Sequence, residues 1–244
     1  MRENLYAEIS NINVDVKEEI SRGISDVTIF NKLKVKRLTT LENIAKRTFD
    51  IIGSICGIAL LVPITIGIKI ANIIHKDKGP VFYTQTRIGK DGKEFKLYKY
   101  RSMIVGADEK LKEYLKENED ARKEYKKYKK LKNDPRITKV GAFIRKTSLD
   151  EFPQFINVLK GDMSLVGPRP YLLREQDDIG EAYNHIIKCK PGLTGIWQVS
   201  GRNDVTFEER VNMDLEYYYN QSVKLDIKLI LKTLKKVLLR EGAL

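Results

Sequence analysis

The stretch Ile51 to Ile74, I-I-G-S-I-C-G-I-A-L-L-V-P-I-T-I-G-I-K-I-A-N-I-I, holds 24 residues with a single charge, Lys69. It is the one membrane candidate in the chain, and any fold must either bury it or give it to lipid. About 20 apolar residues cross a hydrocarbon core, so length alone permits a span. The flanks argue against one. Basic residues lie on one side from Lys32 to Arg47 and on the other at Lys76, Lys78, Arg87 and Lys90, so a spanning helix would place one basic flank on the wrong face. Pro63 stands at the middle. A helix broken there has two arms of roughly 18 Å, enough to enter half the bilayer and return. We therefore expect a re-entrant hairpin over 42–78, bent near Pro63, with both flanks on the cytoplasmic face. A Pro-kinked span and a buried core helix are the alternatives. Carbonyls freed near Pro63 need partners that lipid cannot supply, and the hydroxyls of Ser54 and Thr65 are candidates.

Residues 1–41 are polar and lack the apolar core of a signal peptide. We expect no exported precursor. This extension is either a flexible arm or a short amphipathic helix over Val14 to Phe30, with Lys32, Lys34, Lys36 and Arg37 resting on anionic lipid. Residues 79–244 suffice for one domain with its own core. The net charge of +12 implies anionic partners, whether nucleic acid, phosphorylated metabolites or an acidic membrane surface. Two cysteines, Cys56 and Cys189, and two histidines, His75 and His185, give no zinc spacing and no disulfide framework.

The densest chemistry lies in Thr147 to Pro170, T-S-L-D-E-F-P-Q-F-I-N-V-L-K-G-D-M-S-L-V-G-P-R-P. With Ser148 as N-cap, Glu151 falls at N3, the spacing of a capping box, and Asp150 lies in the first turn beside free amides. On that reading Asp150 is ionised at neutral pH. An ionised carboxylate is a base, a metal ligand or a nucleophile, and Glu151 beside it could share a divalent cation. The plain alternative is that both acids cap a helix. Arg145 and Lys146 precede them, and Gly167, Pro168, Arg169 and Pro170 form a rigid turn that would hold one guanidinium for phosphate or for a salt bridge.

Elsewhere, alternation around K-D-G-K predicts a β-hairpin within Gly79 to Met103, with Lys96, Lys99 and Arg101 along its second limb. Gly106 to Lys132 is highly charged with apolar residues at near-helical spacing. It reads as a surface helix or helical pair, either a solvated excursion or a homodimer contact. Tyr171 to Ile187 should be helical. C-K-P-G-L-T-G-I-W-Q-V-S-G-R-N is a glycine-rich loop in which Trp197 packs and Arg202 is the candidate ligand contact, with a surface ion pair as its alternative. Phe207 to Tyr219 is a helix carrying Asp214. Asp226 opens a last helix whose Ile227, Ile230, Leu231, Leu234 and Leu238 oppose Lys228, Lys232, Lys235 and Lys236. Such a basic amphipathic helix suits a membrane surface or a core.

The run S-L-D-E-F-P-Q-F-I-N-V-L-K-G-D-M-S-L-V-G-P-R-P closely resembles the catalytic core of bacterial sugar transferases, the monotopic phosphoglycosyl transferases. Lys46, Arg47 and Asp50 match the K-R-x-x-D opening. G-P-V-F-Y-T-Q-T-R-I-G, F-K-L-Y-K-Y-R-S-M, the glycine-rich loop and M-D-L-E-Y-Y-Y to K-L-D-I-K-L-I follow in family order. The resemblance implies transfer of a sugar 1-phosphate from a UDP-sugar to polyprenyl phosphate with release of UMP, at the cytoplasmic face of the bacterial inner membrane. It further implies Asp150 as nucleophile, Glu151 with Asp150 holding Mg²⁺, Arg145 and Arg169 neutralising phosphate charge, and Lys99 and Arg101 lining the site. It also makes a contribution from Asp226 possible and supports a proline-bent helix seated in one leaflet.

The expected fold is therefore α+β, a mainly helical single catalytic domain with a small β-hairpin and a re-entrant membrane helix hairpin. Two rivals are a membrane-tethered nucleic-acid binder, for which no motif is present, and an inactive scaffold, against which stand Asp150, Glu151, Arg169 and Arg202. We expect membrane lipid but not nucleic acid as a partner.

Overall fold

The computed structural model describes residues 37–200 and 205–239. Arg202 and the expected helix over Val14 to Phe30 lie outside the described residues. Thr39 opens the longest element with a complete capping box to Glu42, and helix α1 (Thr40–Ile74) then runs for 35 residues. It is continuous through Pro63, so any bend there is a change of direction and not a loop. Pro63 has no N–H to offer the preceding turn. The carbonyl this leaves without a helical donor is that of Ala59, whereas the Thr65 hydroxyl donates to the Leu61 carbonyl at 2.6 Å and the Tyr100 hydroxyl joins it there at 3.2 Å. Ser54 is spent elsewhere, on the Ile51 carbonyl.

Asp50, Ser54, Gly57, Leu61, Ile68 and Asn72 are the buried positions of α1. Their spacing of three, four and seven defines one stripe of a 3.6-residue helix. The opposite side exposes large apolar residues such as Ile52, Leu60, Val62, Ile66 and Ile73. By length and composition α1 could cross a membrane.

The hairpin forms as expected. β1 (Phe82–Ile88) pairs antiparallel with β2 (Glu94–Tyr100) across a tight turn at Lys90–Gly92. The charged segment is a helical pair, α2 (Ala107–Glu117) and α3 (Glu119–Tyr128), closed over its own small core of Leu111, Ala121 and Leu131. Helices α4 (Lys139–Lys146) and α5 (Gln154–Lys160) follow, then β3 (Ser164–Val166). Instead of one helix, Tyr171 to Ile187 is a string of short turns that includes α6 (Gln176–Ile179) and α7 (Tyr183–Ile186). Gly180, at φ 63 and ψ −141, interrupts it with a conformation open to glycine.

β4 (Gly192–Thr194) lies parallel to β3. Gly192 meets the Gly167 turn backbone to backbone, and a Cβ there would stand 2.1 Å from the Gly167 nitrogen. The glycine-rich loop thus serves a close chain crossing. α8 (Ile196–Ser200), α9 (Phe207–Asn220) and α10 (Val223–Leu239) complete the described fold. Leu229 of α10 is fully buried, whereas Ile227, Leu231 and Leu234 face outward. The apolar face expected on this helix therefore points mainly away from the core.

The K-R-x-x-D residues lock α1 to this body. Lys46 donates to the Val166 carbonyl, the Tyr217 hydroxyl and Asp226. Arg47 donates to the Val158 and Leu159 carbonyls, each at 2.7 Å, satisfying acceptors at the end of α5. Asp50 accepts from the Ser164 hydroxyl and the Leu165 amide. Gly53 and Gly57, four residues apart, bring α1 against Leu165 and Phe155. Helix and body are one packed unit.

Candidate active site

Asp150 and Glu151 lie in a 3-10 turn, Leu149–Glu151, between α4 and α5. The expected capping box is absent. Ser148 adopts a left-handed conformation at φ 57 without a side-chain cap bond, and Pro153 stands at the N-cap of α5. The Phe152 amide bonds the Leu149 carbonyl. Pro153 has no N–H with which to continue an α-helical ladder back to that carbonyl, so the turn stays tight.

Asp150 is consequently placed by packing and not by a helix terminus. Burial pushes its carboxyl up to about 6, against the pull of Lys99, with the Glu151 charge adding to the rise and Arg145 opposing it. It is still largely ionised at neutral pH, for a different reason than the sequence suggested. The Lys99 ammonium lies 2.9 Å from Glu151 Oε1 and 4.0 Å from Asp150 Oδ2.

What places Lys99 is Asn157 of α5, which is fully buried. Its amide nitrogen donates to the Lys96 carbonyl and its oxygen accepts from the Tyr98 amide. A side chain thus stands in for a neighbouring strand and registers β2 beside the acids.

Asp150, Glu151 and Lys99 border a cavity of about 290 Å³. Arg87 from β1, Lys99 from β2, Arg145 from α4, Arg169 from the turn after β3 and Arg210 from α9 line it, and Lys129 and Lys130 reach it from the end of the helical pair. Arg145 is steered by its Nε bond to Ser102. The Arg169 amide donates to Asp214, and its guanidinium donates to Glu175 at 3.2 Å. Another of its nitrogens is buried without a partner. Tyr171 donates to the same Asp214 oxygen at 2.7 Å. Burial pushes Asp214 up to about 7, and the bonds from Tyr171 and the Arg169 amide oppose that rise.

Arg87 and Arg210 are each brought down to about 10, first by burial and then by the neighbouring Arg169 charge. Like charges gathered out of water at these positions favour an anion among them. A second cavity of about 430 Å³ adjoins the first and shares Asp150, Arg145, Lys99 and Arg169 with it. Asp150 stands where the two meet.

The other anticipated residues are dispersed. Arg101 borders the second cavity, yet its guanidinium is committed to the Pro80 and Met103 carbonyls and to Asp77. Asp226 sits against Lys46 and Tyr217, away from the acid pair. Trp197 packs on the core with the Arg210 guanidinium over its ring. Arg87, Arg210, Lys129 and Asn157 were not anticipated individually. Their spacing is uninformative because Arg87, Lys129 and Arg210 reach the cavity from separate parts of the chain and Asn157 acts behind it on β2.

Among the described residues, no three His, Cys, Asp or Glu side chains gather to hold a metal. The donor set nevertheless suits a hard cation. One or two carboxylates completed by phosphate oxygens is the usual way a protein holds Mg²⁺, and Asp150, whose proton affinity is raised by burial and by the Glu151 charge, has room for more positive charge beside it.

A family model described as bacterial sugar transferase matches residues 41–240. The chain belongs to that family. It is 50% identical over 231 residues to a protein of Salmonella typhimurium named undecaprenyl-phosphate galactose phosphotransferase, covering 95% of this chain and 47% of that one. It is 42% identical to the exopolysaccharide production protein ExoY of Rhizobium meliloti, covering 83% and 89%. It is 38% identical to UDP-glucose:undecaprenyl-phosphate glucose-1-phosphate transferase of Escherichia coli, covering 84% and 43%. This sugar transferase thus spans about half the length of several curated relatives and most of the length of ExoY.

Proposed function

We propose that the protein transfers a sugar 1-phosphate from a UDP-sugar to undecaprenyl or a similar polyprenyl phosphate and releases UMP, the first step of a surface polysaccharide or glycoconjugate. The observation that carries the reading is the half-buried Asp150 carboxylate at the meeting point of two cavities, with cations lining both. A nucleophile between two chambers suits two successive displacements.

In the first, an Asp150 oxygen attacks the sugar-bearing phosphorus. The bond from that phosphorus to the bridging oxygen breaks, and the bridging oxygen leaves with its electron pair as part of UMP. In the second, a polyprenyl phosphate oxygen attacks the same phosphorus. The bond to Asp150 breaks and the carboxylate is restored. Neither displacement requires a proton on Asp150. Arg145, Arg169 and Arg87 offset charge on the phosphoryl oxygens, where fixed donors in a dry site count most. Glu151 and Asp150 would hold Mg²⁺, which would supply neutralisation of the phosphate charge.

The remaining α1 geometry supports a monotopic seat at the cytoplasmic face. The helix lies against the domain from Lys46 to Asn72, about 39 Å of its length. A perpendicular span would drag the charged body into hydrocarbon. The outward faces of α1 and α10 are apolar and would meet one leaflet.

The test is UMP release by detergent-solubilised protein given Mg²⁺, polyprenyl phosphate and a panel of UDP-sugars. Turnover should depend on a polyprenyl acceptor and vanish in Asp150→Asn, together with the sugar-phosphate adduct in intact-mass spectra. Full turnover by Asp150→Asn would exclude its role as nucleophile.

A further inference from the structure

One wall of the smaller cavity is built unlike the rest. Gln154 is 2% exposed and Gln198 9% exposed, and both line the cavity, yet Gln154 Nε2 and Gln198 Oε1 have no hydrogen-bond partner. Trp197 Nε1, on the same wall, is also buried without one. Buried polar atoms are almost always paired, because a donor or acceptor taken out of water without a partner is costly. Three such atoms in side chains that line one cavity point to a ligand that would pair them.

Their chemistry differs from that of the arginines. A phosphate needs donors only, and an amide oxygen turned toward it would be unfavourable. A neutral set that offers both donors and acceptors matches hydroxyl groups, which do both. Each glutamine amide can exchange its nitrogen and oxygen by rotation, so the set adapts to the pattern presented. Position narrows the choice further. Gln154 follows Asp150 by four residues. In an in-line displacement the nucleotide departs on the side opposite Asp150, whereas the sugar stays on the attacked phosphorus. The sugar oxygen lies in the equatorial plane between the two, within reach of groups that line the same cavity as Asp150.

We propose that Gln154, Trp197 and Gln198 form the subsite that reads the hydroxyl groups of the donor sugar, a proposal that rests on the sugar-phosphate transfer reading. It follows that the same three residues hold the sugar through both displacements. Gly195 is part of the arrangement, since a Cβ there would stand 2.9 Å from Gln198 Oε1.

The test measures binding on an Asp150→Asn background, where donors are not consumed. UDP-glucose and UDP-galactose, which differ only at one hydroxyl centre, are titrated by calorimetry together with UMP, the part common to both. Gln154→Leu and Gln198→Leu should each reduce the affinity ratio between the two donors by about tenfold, as expected when a hydroxyl loses its partner. UMP affinity should stay within about twofold, which also certifies a folded site. An unchanged donor ratio would overturn the subsite. So would a loss of UMP affinity equal to the loss for the donors, which would assign these residues to the base. If the Asp150→Asn parent binds neither UMP nor any UDP-sugar, the transfer reading itself fails and the subsite with it.

Discussion

At the scale of single residues, the chemistry turns on what burial does to Asp150. Its carboxyl rises to about 6, with desolvation outweighing Lys99 and Arg145. On the proposed reading it is the nucleophile and must be ionised, so kcat/KM should fall about tenfold per pH unit below that value and level off above it. A pH–rate profile in Mg²⁺ buffer checks this, and a flat profile from pH 5 to 8 would contradict it. That Asp150, Glu151 and Arg169 would gather at one place was legible in the sequence, because adjacent acids and a proline-held arginine are local features. The setting of the acids was not. A capping-box spacing at Ser148 and Glu151 is a local pattern, and Pro153, two residues further on, overrides it by removing the N–H an α-helix would need. Asn157 was invisible for another reason. Its partners, Lys96 and Tyr98, are some sixty residues away.

At the scale of elements, periodicity made α1, the hairpin, the helical pair, α9 and α10 legible. It could not show which side of α1 would be covered, since both sides are apolar. The side is chosen by Lys46, Arg47 and Asp50. Lys46 and Asp226 expose 16% and 10% of their side chains, so removing one partner leaves the other poorly compensated. Lys46→Met should cost about 3 kcal/mol and lower the melting temperature by about 10 °C. Adding Asp226→Leu should recover part of that loss. Thermal unfolding of the single and double variants checks the cycle, and an undiminished loss in the double variant would count against the clamp. The charged helical pair, which resembled a solvated excursion, instead brings Lys129 and Lys130 to the cavity rim. Nothing in its period announces this, because both lysines follow the last helical turn.

At the scale of the whole molecule, several buried acids bind protons more tightly folded than unfolded. Burial raises Asp150 to about 6 and Asp214 and Glu216 to about 7, and it also raises Asp226. Between the ordinary carboxylate range near 4 and these values, the folded state holds the extra protons. Stability should therefore increase as pH falls from about 7.5 to about 5, by the sign of proton linkage. Asp77 and Asp134, held below the usual range, begin to oppose this only near or below 4. Melting temperature and catalytic rate should thus move in opposite directions over the same interval, measurable on one preparation. A melting temperature that falls together with the rate would show that other groups dominate.

Rigid attachment of α1 to the body that carries Asp150 has a kinetic consequence. On the proposed reading, the clamp sets the height of the nucleophile above the lipid as a fixed ruler would, with no tether to reel in. The search for acceptor then takes place in two dimensions, within the plane of one leaflet. Reaction velocity in proteoliposomes should follow the mole fraction of polyprenyl phosphate in the lipid, and remain indifferent to how much water surrounds the vesicles.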